Sequence, residues 1–121
     1  MDGAKLHLEA LPLARFQCII NEYYRNQGIS PHIDNLSFGP TIIGISIGAD
    51  VGMTFDRNTK DSTETFECFL PQRSMMMMTG PARYEWKHSI SKCVTYVTPE
   101  GKKIKKPDTY RRISLTYREL A

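Results

Sequence analysis

The sequence predicts an all-β fold, a sandwich or a double-stranded β-helix (jelly roll), with few short helices. Short apolar and β-branched runs recur at even spacing, divided by clusters of Gly, Pro, Asn and Asp. Helical periodicity is scarce over the 121 residues, so each strand must bury one face against another strand layer. The length suits a single domain, 1–121, with a real core and little room for a lid.

In chain order, residues 1–15 mix apolar and polar side chains, and Pro12 limits any helix, so a short helix or loose arm is expected. Phe16–Tyr24 alternates and reads as a strand, with Asn21 and Tyr23 on one face. Arg25–Pro31 reads as a turn in which Gly28 supplies positive φ and Pro31 an extended entry to His32. Asn35–Pro40 is a loop, and Thr41–Gly48 a buried strand by its β-branched run. Val51–Asp56 is expected to be its hairpin partner, and Arg57–Thr65 a polar surface turn. A strand begins at Glu67–Leu70, Pro71–Arg73 turns, and Ser74–Met78 is a short strand whose methionines fill core space. Thr79–Pro81 is a turn, and Tyr84–Ile90 an extended run with Trp86 and His88 on one face. Cys93–Val97 is strand-like, and Thr98–Thr109, with lysines at 102, 103, 105 and 106, a solvated loop. Tyr110–Arg118 alternates cleanly, with Arg112, Ser114, Thr116 and Arg118 on one face.

Composition excludes some classes and leaves others open. Sixteen Lys and Arg against thirteen Asp and Glu give a net charge of +3, which permits a nucleic-acid partner without demanding one. Cys18, Cys68 and Cys93 are odd in number and lack CxxC spacing, so neither a disulfide framework nor a zinc ribbon is expected. No apolar run approaches the roughly 18 residues of a membrane span, and no secretory signal is visible. A monomer in a reducing cytoplasm or nucleus is the expectation.

His32 and Asp34 carry the first chemical signal. Two residues apart on an extended strand, they project from the same face. Two histidines and one carboxylate on one face of iron(II) leave positions open for a bidentate co-substrate and for O₂. The third ligand must be another histidine, and His7 and His88 are the candidates. His88 can return from a separate strand and is the better placed. Arg112 and Arg118 on one strand face are the second signal. If that face points inward, both need anionic partners, because an unpaired buried guanidinium is costly. Arginine takes planar carboxylates bidentately, so a dicarboxylate co-substrate fits, with Tyr23, Ser114 and Asn21 adding hydrogen bonds. The plainer alternative is that one arginine is a surface residue on an edge strand.

Taken together, Asn21-x-Tyr23, His32-x-Asp34, His88 and Arg112-x-Ser114-x-x-x-Arg118 resemble the AlkB family of iron(II)/2-oxoglutarate dioxygenases. The resemblance runs from about Gln17 to Arg118. Ser114 stands where much of the family has Asn, as it does in the branch containing the tRNA wobble-uridine hydroxylases. Leu70–Ser74, Met78–Gly80 and Arg83-Tyr84-x-Trp86-x-His88 are most similar to that branch. The resemblance implies iron bound by His32, Asp34 and His88. It implies Arg112 on the distal carboxylate of 2-oxoglutarate, helped by Tyr23 and Ser114, with Arg118 and Asn21 near the carboxylate that chelates the metal. The activity it implies is oxidation of a C–H in modified nucleic acid, RNA or DNA, by demethylating an N-alkylated base or hydroxylating a tRNA base. Only about twenty residues precede Asn21, so the family's nucleotide lid is expected to be short or absent. Leu36 stands two positions after Asp34, where bacterial members carry an acid.

Two other functions compete with this one. The same oxygenase chemistry could act on a protein or small molecule. A non-catalytic jelly roll could instead hold zinc through His32, Asp34 and His88, although structural zinc sites take four ligands and favour Cys. Tyr84 and Trp86 are candidates for stacking a base, and the 102–106 lysines for holding phosphates. Core packing and solvated loop are the plainer readings of each.

Overall fold

The computed structural model describes residues 15–120. The expected N-terminal helix or arm, and His7, lie outside them. Ten strands and one short helix follow one another: β1 (Phe16–Tyr24), β2 (Ile29–His32), β3 (Phe38–Ile47), β4 (Val51–Asn58), β5 (Thr63–Leu70), β6 (Ser74–Met78), α1 (Gly80–Tyr84), β7 (Lys87–Ile90), β8 (Thr95–Val97), β9 (Lys103–Lys105) and β10 (Arg111–Leu120). They form two four-stranded sheets, ordered β1-β10-β3-β6 and β2-β7-β4-β5, and a β8-β9 hairpin. Every pairing is antiparallel, and the chain passes repeatedly between the two sheets. This is a jelly roll, one of the two all-β architectures that the short, evenly spaced strands allow. No helix among the described residues is long and apolar enough to cross a membrane.

The core between the sheets is small. Ile42, Val51, Met53, Phe55, Leu70, Met78 and Ile90 form its buried cluster, with Trp86 packed against it. Trp86 thus takes the plainer of its two readings, and it precedes β7 rather than sitting within an extended strand from Tyr84. Thr79-Gly80-Pro81 starts a helix there, with Pro81 at a position that needs no backbone donor.

Strand β4 is not the hairpin partner of β3. It pairs with β5 over its whole length and with β7, in the other sheet. Gly48, at φ +92°, turns the chain out of the first sheet. Asp50 fixes the crossing: its carbonyl accepts from Tyr110 Oη at 2.6 Å and its carboxylate from the Gln72 amide at 2.7 Å. Strands β4 and β5 reach into the expected surface turn through cross-strand polar pairs, Arg57–Glu64 and Asp56–Thr65 among them.

Other expectations need correction. Gly28 is not among the positive-φ glycines. Its lack of a side chain instead lets β2 and β7 approach, since a β-carbon would lie 2.1 Å from the Ile90 carbonyl oxygen. Of the four methionines in β6, Met76 and Met78 face the core, whereas Met75 and Met77 are 63% and 56% exposed, as a pleated strand requires. Within 98–109, Lys103–Lys105 folds back as β9 against β8, and Lys106 is buried with its ammonium over the Tyr110 ring. Lys106 is therefore withdrawn from the exposed lysine cluster.

Candidate active site

Strand β10 presents an inverted pattern: its polar residues face inward. Pairing with β1 sets Asn21 opposite Ser114 and Tyr23 opposite Arg112. Pairing with β3 sets Ser114 opposite Ser46. From the facing sheet, His32 on β2 and His88 on β7 are directly paired. The register shifts between Ile29 and His32, where Pro31 has no amide to give the ladder. Such a bulge re-aims the side chain that follows it. Asn21, Tyr23, His32, Asp34, His88, Arg112, Ser114 and Arg118 all line one cavity between the sheets.

At one end of that cavity, His32, Asp34 and His88 each offer a donor atom, and the three atoms lie within 4.8 Å of one another. Asp34 Oδ1 is 3.3 Å from His32 Nε2 and 3.5 Å from His88 Nε2. His32 Nδ1 donates to the Ser30 carbonyl at 2.8 Å, which leaves Nε2 as the lone-pair nitrogen. Asp34 Oδ1 is buried and has no hydrogen-bond partner among the described residues. Lone pairs on buried nitrogen and oxygen converge here, which is unfavourable unless a proton or a cation lies among them. Two imidazoles and a carboxylate suit iron(II), so the residues present fit the metal.

The electrostatics follow from the same packing. Burial and the neighbouring His32 push the His88 imidazole down to about 4, against the pull of Asp34. His32 moves upward because the Asp34 carboxylate beside it outweighs burial. Burial alone would raise the Asp34 carboxyl, but His32, Arg118 and His88 together hold it below the usual value. Arg118, reaching across from β10, donates from Nε to Asp34 Oδ2 at 3.1 Å.

At the other end of the cavity, Arg112 is 4% exposed. Its Nη2 donates to Ser46 Oγ at 2.9 Å, while Nε has no partner among the described residues. No carboxylate among the described residues pairs with it. Its guanidinium lies 5.5 Å from the Tyr23 ring centre. A buried guanidinium with spare donors is a receptor for a carboxylate. Sequence reasoning missed Ser46, whose polar side chain on the inward face of an otherwise isoleucine-rich run is the available signal. Arg83, part of a recognised motif, is given no role by the sequence, yet it is 2% exposed and donates to the Asp34 carbonyl.

Comparison with known proteins agrees with this geometry. The model of the 2OG-Fe(II) oxygenase superfamily matches residues 7–118. The chain is 37% identical over 105 residues to an uncharacterised protein of Acanthamoeba polyphaga mimivirus, covering 86% of this chain and 48% of that one. It is 40% identical over 76 residues to tRNA (carboxymethyluridine(34)-5-O)-methyltransferase alkbh8 of Xenopus tropicalis, covering 62% of this chain and 12% of that one. With the alkylated DNA repair protein ALKBH8 homolog of Arabidopsis thaliana it shares 34% identity over 90 residues, 61% of this chain and 26% of that one. The chain thus spans about half the length of the mimivirus relative and far less of the others. Family membership implies iron(II), 2-oxoglutarate and O₂ as the reaction's metal and co-substrates. The chain belongs to the 2OG-Fe(II) oxygenase superfamily and is of AlkB type.

Proposed function

We propose that this chain is the catalytic domain of an iron(II)/2-oxoglutarate-dependent dioxygenase acting on modified nucleic acid. The observation that carries the chemistry is the pairing, in one cavity, of the His32–Asp34–His88 cluster with the buried, carboxylate-free Arg112. Support for the substrate class comes from relatives whose names specify tRNA and alkylated DNA. The reaction we favour is oxidative demethylation of an N-alkylated base or hydroxylation of a tRNA base.

In this reading His32 Nε2, His88 and Asp34 hold iron(II). With 2-oxoglutarate and O₂, the metal supplies oxidation of a substrate C–H coupled to decarboxylation of the co-substrate to succinate. The chain itself binds and orients. Arg112 takes the distal carboxylate of 2-oxoglutarate through the donors that Ser46 leaves free. Tyr23 and Ser114 add hydroxyls to the same end, and Asn21, paired with Ser114 across the strands, adds an amide. Arg118 holds Asp34 Oδ2, so the carboxylate presents Oδ1 to the two imidazoles. The apolar wall of Ile42, Met53, Met78 and Ile90 limits water around the co-substrate.

The test is an anaerobic titration with iron(II), then 2-oxoglutarate, followed by the visible metal-to-ligand charge-transfer band. Appearance of the band in the wild type and its loss in Arg112→Ala is the expected result. Iron binding without the band would leave a metal site that does not take the co-substrate. For the substrate, turnover on methylated DNA and RNA oligonucleotides and on tRNA is read by mass spectrometry and by formaldehyde release. Succinate formation with no change in any nucleic acid, but oxidation of a protein or small molecule, would overturn the substrate class alone.

A further inference from the structure

Arg83 has no place in the chemistry above, yet it is among the most completely buried large side chains, at 2% exposure. Arginine stays charged in proteins, and burying that charge is costly unless every donor finds an acceptor. No carboxylate among the described residues supplies one. Instead the guanidinium donates to four backbone carbonyls: Nη1 to Asp34 at 3.0 Å, Nη2 to Asn35 at 3.0 Å and to Phe38 at 3.3 Å, and Nε to Gly39 at 3.2 Å. Asp34 and Asn35 lie in the loop between β2 and β3, and Phe38 and Gly39 open β3 itself. Arg83 belongs to α1, which leads within five residues to His88. One side chain therefore ties the segment carrying the carboxylate to the segment carrying the distal histidine.

Resting on the metal site proposed above, we infer that Arg83 is a positioning residue of that site, fixing the Asp34 main chain relative to His88. Several features of the fold make this specific. The rigid fork of guanidinium matches several acceptors at once, whereas an ammonium is a single point of attachment. The Asp34 carboxylate is buried, and its other anchor, Arg118, approaches from the opposite sheet. Arg118 fixes the carboxylate end, while Arg83 fixes the backbone from which it springs. Partners behind metal ligands orient them and commonly change metal affinity by about 10- to 100-fold.

The experiment compares Arg83→Lys and Arg83→Gln with the wild-type chain and with His32→Ala. Iron(II) affinity is measured anaerobically against a chromophoric chelator, and folding by near-ultraviolet circular dichroism. Lysine keeps the charge and loses the fork, while glutamine removes the buried charge and so guards against a variant that fails to fold. The expected result is a folded variant whose iron(II) dissociation constant rises about 10- to 100-fold. Its 2-oxoglutarate affinity at saturating metal should stay within about twofold, because the Arg112 end is untouched. A purely structural Arg83 would lower the melting temperature and leave metal affinity of the folded protein unchanged, which overturns the inference. Failure of both variants to fold would also overturn it, because the residue would then hold the whole fold rather than the site. If the wild type itself binds iron(II) no better than His32→Ala, the metal-site reading fails instead.

Discussion

Gly28 and Ile90 approach so closely that a single methyl group cannot fit between their strands: a β-carbon at 28 would lie 2.1 Å from the Ile90 carbonyl oxygen. The obstacle is backbone, so relief requires β2 to move away from β7, and those strands carry His32 and His88. Gly28→Ala should cost about 3 kcal/mol, lowering the melting temperature by on the order of 10 °C. Gly44→Ala meets nothing within 4 Å and should change stability by less than about 1 kcal/mol. Urea denaturation of the two variants side by side checks this, and equal midpoints would contradict it.

Removing a donor atom from the metal end should spare the fold. His32→Ala and Asp34→Ala should weaken iron(II) binding by at least about 100-fold, more than loss of a supporting partner alone typically costs. Their near- and far-ultraviolet circular dichroism should remain native. A collapsed spectrum would assign the two residues to folding instead.

Acid should act on the site in one-proton steps. Both imidazoles must be neutral to donate to a metal. His88 takes a proton only near pH 4, far below its ordinary 6.5, whereas His32 is raised. Between those two pH values the competing proton therefore belongs to His32. The logarithm of iron(II) affinity should change by about one per pH unit there, and a slope near two would sink the assignment.

Without metal, the same groups set stability against pH. His88 binds its proton more weakly folded than unfolded, so its contribution is present above 6.5 and is lost as pH falls toward about 4. The shift corresponds to about 3 kcal/mol. His32 works in the opposite sense: its raised value adds stability below the unfolded value, lost as pH rises through the folded one. Thermal melts of the metal-free protein should fall on acidification from pH 6.5 to 4, and His88→Gln should flatten that fall.

Arg112 offers a change that improves one property and removes another. Its guanidinium is buried, one donor is unpaired among the described residues, and burial pulls its proton affinity down. Arg112→Met replaces a costly buried charge with an apolar side chain of similar length. The metal-free variant should gain about 1–2 kcal/mol, while 2-oxoglutarate affinity falls by at least about 100-fold, a loss of the size expected when a buried charged partner is removed. Calorimetric melts and co-substrate titration check the two halves separately.

What the sequence reveals depends on whether the deciding force is local. The alternation of β1 and β10 is local, so Asn21, Tyr23, Arg112, Ser114 and Arg118 could be placed on their faces directly. His32-x-Asp34 is legible for the same reason. The partner of β4 is not, because it is decided by a crossing that Asp50 fixes through Tyr110 and Gln72, both distant in the chain. Gly28 could be recognised as necessary, but the reason is the Ile90 backbone across the sheet rather than its own φ. Lys106 reads as solvated beside three exposed lysines, until Tyr110 provides a ring beneath it. Arg83 is the hardest case, since all four of its acceptors are carbonyls, which leave no trace in side-chain identity.

Among the described residues, the interior holds as many polar or charged residues as apolar ones: eight of each are buried. Five of the polar eight, Asp34, Ser46, His88, Arg112 and Ser114, face the cavity. A domain built this way stores its stability partly in whatever fills it. Each ligand held at a hundred times its dissociation constant adds about 2.7 kcal/mol to the folded state. The protein's shelf life should therefore depend on its buffer, shortened by chelators and prolonged by a divalent metal with a dicarboxylate under argon. Its melting temperature is a property of the solution as much as of the chain.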